Sequence, residues 1–194
     1  MTPDQTKLSI EHCLERVAER PESATAHFNL GLAYSQRGMV TRAEVAYRKA
    51  VELDPDRVEA WVNLGGALML QWDFQGSIEA NGQALKRKED LLLAHFNTGQ
   101  AHLYLGDAEE TVRCNRRVVD LDPNHGPGHY YLAVGLLALD RVGEAHEEAT
   151  RARFLGHSPD PKFLQALDAA DKKTESKSEE STGENLGADA PTDS

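Results

Sequence analysis

A period of 34 residues runs through this chain of 194. Three prolines set its phase: Pro21 and Pro55 stand one step apart, and Pro123 lies two steps further on. His27, Trp61, His95 and His129 fall in one column at the same step, as do Asn29, Asn63 and Asn97, and Gly31, Gly65 and Gly99. A fixed step of this length makes each unit one supersecondary element, which buries its apolar face only by stacking on its neighbours. Arrays built this way present surfaces to partners and seldom carry chemistry.

Within residues 24–57, apolar residues recur at helical spacing in two runs broken at Gly38. Small residues (Gly31, Ala43, Ala50) stand where two helices approach closely, and large ones (Leu30, Tyr34, Tyr47) fill the space between. Asp73 and Asp107 share a column and are placed to cap second helices. Asp107 with Glu110, and Asp56 with Glu59, have capping-box spacing. His27, Leu30, Gly31, Tyr34, Ala43, Tyr47 and Pro55 together resemble the tetratricopeptide repeat, whose pattern is W-x2-L-G-x2-Y, A-x3-F, P. The resemblance covers residues 24–157 and implies an all-α chain, an α-solenoid in which helix-turn-helix units form a right-handed superhelical stack. Four units are expected at 24–57, 58–91, 92–125 and 126–157. Residues 1–23 should hold an N-terminal capping helix, over Lys7 to Glu19. Residues 158–171, with Phe163, Leu164 and Leu167 at helical spacing, should hold a C-terminal one. From Lys172 to Ser194 there is almost nothing to bury, and this acidic tail is expected to be disordered.

The second helices of units two and three depart from the pattern. Ser77 and Thr111 replace the usual alanine, and Asn81 and Asn115 replace the usual aromatic. Two amides in register suggest a polar seam bonded across the helix interface.

The net charge of −11 speaks against nucleic acid, whose binding draws on clustered lysine and arginine. The basic group Lys86, Arg87, Lys88, Arg113, Arg116 and Arg117 reads more simply as a solvated outer face. Cys13 and Cys114 stand far apart with no CxxC pair, which fits ordinary thiols in a reducing compartment. No run approaches the ~18 apolar residues of a membrane span. A soluble, cytoplasmic protein without cofactor is the expectation, and no nucleophile elbow, phosphate loop or paired catalytic carboxylates suggest an enzyme.

In tetratricopeptide proteins the first helices of successive units line a concave groove. The resemblance carries five columns onto this chain: Phe28, Val62, Phe96, Tyr130; Asn29, Asn63, Asn97, Tyr131; Leu32, Gly66, Gln100, Val134; Ser35, Met69, Leu103, Leu137; and Gln36, Leu70, Tyr104, Ala138. None of these residues is charged in a chain that is 27% charged, as befits a partner-binding strip. An amide offers both donors and an acceptor, so the asparagine row is suited to holding the backbone of an extended segment. Family members that clamp the acidic tails of heat-shock proteins carry basic residues here. This chain has Phe28, Leu32, Leu93 and Asn97 at those places, and only Asn63 agrees, so such tails are poor candidates. A protein segment with apolar side chains, extended or helical, fits better. Two other readings compete. The groove is filled by a second copy or by the chain's own C-terminal helix, or the His27, His95 and His129 column holds a metal or haem. The second is the weaker, because a stack step separates its members.

Overall fold

The two apolar runs of each unit become two helices. In this computed structural model, which describes residues 9–184 and the side chains of 9–174, ten helices follow one another and no strand occurs among the described residues. They are α1 (Ile10–Glu19), α2 (Ala24–Gln36), α3 (Val40–Leu53), α4 (Val58–Leu70), α5 (Phe74–Arg87), α6 (Leu92–Leu105), α7 (Ala108–Leu121), α8 (Gly126–Ala138), α9 (Val142–Phe154) and α10 (Pro161–Glu184). None is long and apolar enough to cross a membrane. The chain divides into two compact units after Pro123.

In the first unit α1 packs on α2. The hairpins α2/α3, α4/α5 and α6/α7 then stack through α3 on α4, α5 on α6, and α4 on α6. Alanine dominates the core because the helices are closely spaced: Ala43, Ala50, Ala60, Ala67 and Ala80 pack around Tyr47, Leu64 and Leu68. A smaller cluster of Cys13, Leu30, Ala33 and Ala46 fixes α1 to the first hairpin. Burial raises the pKa of the Cys13 thiol, and it raises that of Cys114 to about 11, so both are inert at neutral pH. In the second unit α8 pairs with α9, and α10 packs on α9.

The turn inside each hairpin is built the same way. Met39 N–H donates to the Tyr34 carbonyl and Gly38 N–H to that of Ser35, the two bonds of a Schellman motif. Asp73 and Trp72, Asp107 and Gly106, and Arg141 and Asp140 repeat both bonds in the later hairpins. The motif puts one residue in the left-handed region, and the four that occupy it are one column of the repeat: Gly38, Trp72, Gly106 and Asp140, with φ of 69°, 64°, 80° and 58°.

The glycine column of the first helices is demanded by contact. A methyl on Gly31 would lie 2.5 Å from the Tyr47 ring. Gly65 faces Asn81 and Gly99 faces Asn115 in the same way, with 2.2 Å and 2.5 Å to the amide nitrogens. The two asparagines are fully buried but do not form the expected seam. Each donates Nδ2–H to a carbonyl four residues back in its own helix, Ser77 or Thr111, at 2.9 Å. The reason is local: the facing residue is a glycine inside a helix, whose backbone is already bonded, so the amide turns to its own helix. Both Oδ1 atoms are buried without a partner among the described residues.

Capping follows the sequence in part. Asp73 accepts from Gly76 N–H at 2.9 Å and Asp107 from Glu110 N–H at 3.1 Å. Asp56 caps nothing: α4 begins after Arg57, and the Asp56 carboxylate accepts instead from Arg87 at 3.1 Å. The N-terminal helix begins at Ile10; Lys7 and Leu8 lie outside the described residues. The largest departure is at the other end. Disorder was expected from Lys172, yet α10 continues to Glu184. Residues 172–184 contain no proline and many lysines and glutamates, good helix formers that extend a helix already nucleated by packing. The rest of the expected tail, 185–194, lies outside the described residues.

Candidate functional site

The histidine column has a structural explanation. His27 Nε2 bonds the Pro21 carbonyl at 2.8 Å, Trp61 Nε1–H the Pro55 carbonyl at 2.7 Å, and His95 Nε2 the Glu89 carbonyl at 2.8 Å. Each ring donates to the carbonyl six residues back and staples the incoming turn to the first helix of the unit. Tryptophan and histidine share the column because both carry a ring N–H. His129 bonds Glu148 at 2.5 Å through Nδ1. Phe163 lies one further period along and continues the column as an apolar residue at the start of α10. Among the described residues no group of three potential metal ligands gathers.

Three of the six basic residues singled out in the sequence meet carboxylates where they stand. Arg87 meets Asp56, Arg113 meets Glu110, and Arg117 meets Asp90.

The uncharged columns of the first unit lie on α2, α4 and α6. None of Phe28, Asn29, Leu32, Val62, Asn63, Met69, Phe96, Asn97, Gln100, Leu103 and Tyr104 is fully buried, so this face is not core. Its members differ in how free they are. The Phe28 ring packs on Tyr47 with centroids 5.9 Å apart and lies 5.2 Å beneath the Arg57 guanidinium, and Leu32 packs against the same core. Both residues hold the first hairpin to the second. Asn63 donates to the Glu59 carbonyl at 2.7 Å within its own helix. Asn29 and Asn97 hold no hydrogen bond among the described residues, and a methyl on Gly66 would lie 3.7 Å from Asn97 Nδ2. The amide row is therefore free at two of its three members.

In the second unit Tyr130, Tyr131 and Val134 are half-buried on α8. The Tyr130 ring meets Tyr131 at 5.1 Å, His157 at 4.8 Å and Phe163 of α10 at 5.4 Å. The C-terminal helix thus covers Tyr130, and its own Phe163 and Leu167 are buried.

The face of the first unit continues at the hairpin turns into a group that the columns alone did not reveal. Trp72, Phe74 and Tyr104 form an aromatic trio: Phe74 and Tyr104 are stacked at 4.8 Å with an interplanar angle of 1°, and Trp72 meets them edge-on at 5.9 and 5.7 Å. Met69, Leu70 and Gln100 complete the lining of a shallow cavity of about 250 Å³ beside them. Trp72 is 71% exposed, Leu70 70% and Tyr104 55%. Trp72 also occupies the left-handed turn position that glycine fills in the units on either side, where a bulky residue costs about 1–2 kcal/mol. The clue in the sequence was a tryptophan in the column of Gly38 and Gly106.

Residues 24–57 match the tetratricopeptide repeat family. This stretch is a tetratricopeptide repeat. Over 92 residues, 47% of its length, the chain is 26% identical to DnaJ homolog subfamily C member 7 of Mus musculus and of Homo sapiens. The matched region spans 19% of the length of those relatives. Among solved structures the crystal structure of MamA superposes with a TM-score of 0.72 at 18% identity, covering 76% of this chain and 86% of that one. A second, MamA 41-end from Desulfovibrio magneticus RS-1, gives 0.71 at 19% identity, covering 76% and 83%. At these identities the likeness concerns the fold.

Proposed function

We propose that this tetratricopeptide-repeat chain is a non-catalytic scaffold or adaptor, which holds a segment of a partner protein against the uncharged face of α2, α4 and α6. The observation that carries the reading is that face itself. It is exposed or half-buried along its length, carries no charge in a strongly acidic chain, and leaves the amides of Asn29 and Asn97 unbonded. An apolar strip with free amides suits a ligand that brings apolar side chains and an accessible backbone. The columns themselves hold no lysine or arginine, and Arg57, which lies over Phe28, is already engaged by Thr25 and Asp54, so little on the strip would pair with an acidic peptide terminus. Occupation by the C-terminal helix gains no support, because Phe163 and Leu167 are already buried in the second unit.

The test is affinity capture with mass spectrometry, run beside a variant carrying Asn29→Ala, Asn63→Ala and Asn97→Ala. Each amide bond lost should weaken binding by about 1 kcal/mol. Asn63 should contribute least, because its amide is spent within the helix. A protein retained by the parent chain and lost by the variant supports the face. Equal capture by a folded variant moves the site elsewhere, and concentration-dependent sedimentation of the chain alone would favour self-association.

A further inference from the structure

The scaffold reading leaves open where on the face a partner is gripped and what the gripped residue looks like. Binding energy at protein interfaces concentrates in a few large side chains, with tryptophan and tyrosine foremost. Here such residues gather at one place, the turn ends of the second and third hairpins. Leu70, Trp72 and Tyr104 are more than half exposed side by side, and Phe74 is stacked beneath Tyr104. The turn gives no folding reason for this tryptophan: Gly38 and Gly106 build the same Schellman turn, and glycine is the residue that adopts a positive φ freely. A strained backbone under a side chain left 71% exposed marks a position kept for another task.

The charges nearby set the chemistry of the occupant. The cavity lining of Met69, Leu70, Trp72, Phe74, Gln100 and Tyr104 is uncharged. The charged residues flanking it in sequence are carboxylates, Asp73 directly after Trp72, and Asp107 and Glu109 after Tyr104. Neither Asp73 nor Glu109 is in an ion pair among the described residues. The lysines and arginines of these two hairpins lie late in α5, at the turn that follows it, or along α7, and Arg48 of α3, which lines a second cavity with Asp73, is paired with Glu44 at 2.8 Å. An exposed indole face is also the best aromatic surface for a cation.

We propose that Trp72, Phe74 and Tyr104, with Leu70 beside them, form the docking point for a partner segment that carries large apolar side chains flanked by lysine or arginine. This assignment rests on the scaffold reading and narrows it: the trio supplies the anchor site, the surrounding carboxylates orient the basic flank, and the amide row holds the chain that runs on along α4 and α6.

The probe is a pair of short synthetic peptides that share one Leu and Phe anchor, contain no tryptophan, and differ in whether lysine or glutamate flanks it. Titration is followed by peptide fluorescence anisotropy and by the indole N–H resonances of the labelled protein. The Trp72 resonance should move on adding the lysine peptide. That of Trp61, bonded to the Pro55 carbonyl, should stay, and the glutamate peptide should bind more weakly. Trp72→Gly should keep the fold, with a melting temperature equal to or above that of the parent, while lysine-peptide affinity falls by about tenfold or more. Trp72→Phe should retain most of the affinity. Failure of the parent to bind either peptide, or equal affinity in Trp72→Gly, overturns the assignment. Should affinity survive Trp72→Gly but fall in the Asn29→Ala, Asn97→Ala double variant, the face stands and the anchor does not. Should it survive both, the two readings fall together. Self-association that Trp72→Gly abolishes would make a second copy the occupant and equally overturn the proposal.

Discussion

Gly31 and Gly82 are both helical glycines and answer opposite demands. A methyl on Gly31 meets the Tyr47 ring at 2.5 Å, and that ring cannot yield: it is almost wholly buried and its hydroxyl bonds Ser35 at 3.1 Å. Gly82 has nothing within 4 Å of the same point. Gly31→Ala should therefore destabilise by about 1–3 kcal/mol through overpacking. Gly82→Ala should stabilise by up to about 1 kcal/mol, since alanine is the better helix former. Urea melts of the two variants decide it, and a shift in the same direction for both would contradict the packing argument. His95 makes a second residue-level case. Burial is the main cause of its lowered pKa; the Glu89 carbonyl opposes the shift, while Arg117 and Arg113 reinforce it. Its Nε2–H donates to that carbonyl and its Nδ1 is buried without a partner, so a second proton would have no place to go. The folded state holds His95 neutral more firmly than the unfolded chain does. Its contribution to stability is then complete above the ordinary histidine value of about 6.5 and is lost as the pH falls from there toward the lowered value. His95→Phe, which cannot take up a proton, should flatten this part of the stability-against-pH curve. At neutral pH it should also lose about 1 kcal/mol with the staple. A difference from the parent that does not change with pH would show that burial does not hold His95 neutral.

At the scale of the element, one column is filled by two chemistries. Tyr47 in α3 fills the space over Gly31 with a ring, whereas Asn81 in α5 and Asn115 in α7 fill it over Gly65 and Gly99 with an amide bonded to its own helix. Each amide satisfies a carbonyl but buries an unpartnered Oδ1, so its two halves largely cancel. Tyr47→Ala should cost about 3–5 kcal/mol by opening a cavity. Asn81→Ala should cost less than about 1 kcal/mol, because the lost bond is offset by relief of the orphan acceptor. Comparable losses in the two variants, by chemical denaturation, would mean that the asparagines contribute more than their geometry shows. The sequence placed these residues at the helix interface, but not the direction of their bonds. Spacing says which side chains meet. Whether an amide turns across an interface or back onto its own helix depends on what the opposite helix leaves unbonded. The end of α10 was misread for a related reason. Composition reports what a segment can bury, and the sequence of residues 172–184 offers little, but helix propagation from a packed start needs only good helix formers.

For the whole molecule, the period fixed most of what the fold contains: the order of helices, the glycine column and the turn positions all repeat at 34 residues. The candidate face was legible too, as columns without charge. The aromatic trio was not, because it joins Trp72 and Phe74 from one hairpin to Tyr104 from the next, and no single column contains it. The charge that surrounds this uncharged site is itself a functional property. A net charge of −11 attracts a basic segment over distances much longer than any contact, and the effect appears in the rate of encounter. The Debye length shrinks from about 10 Å at 0.1 M salt to about 3 Å at 1 M, so added salt removes the attraction and leaves the apolar anchor untouched. Across that range the association rate of the lysine-flanked peptide should fall by about tenfold, while its dissociation rate, set by the buried anchor, changes little. The glutamate-flanked peptide should show the opposite trend, associating faster as repulsion is screened. Stopped-flow anisotropy separates the two rates. An association rate indifferent to salt for both peptides would mean that the acidic surface plays no part in bringing a partner to the face. A salt effect confined to dissociation would instead place the ion pairs inside the bound complex.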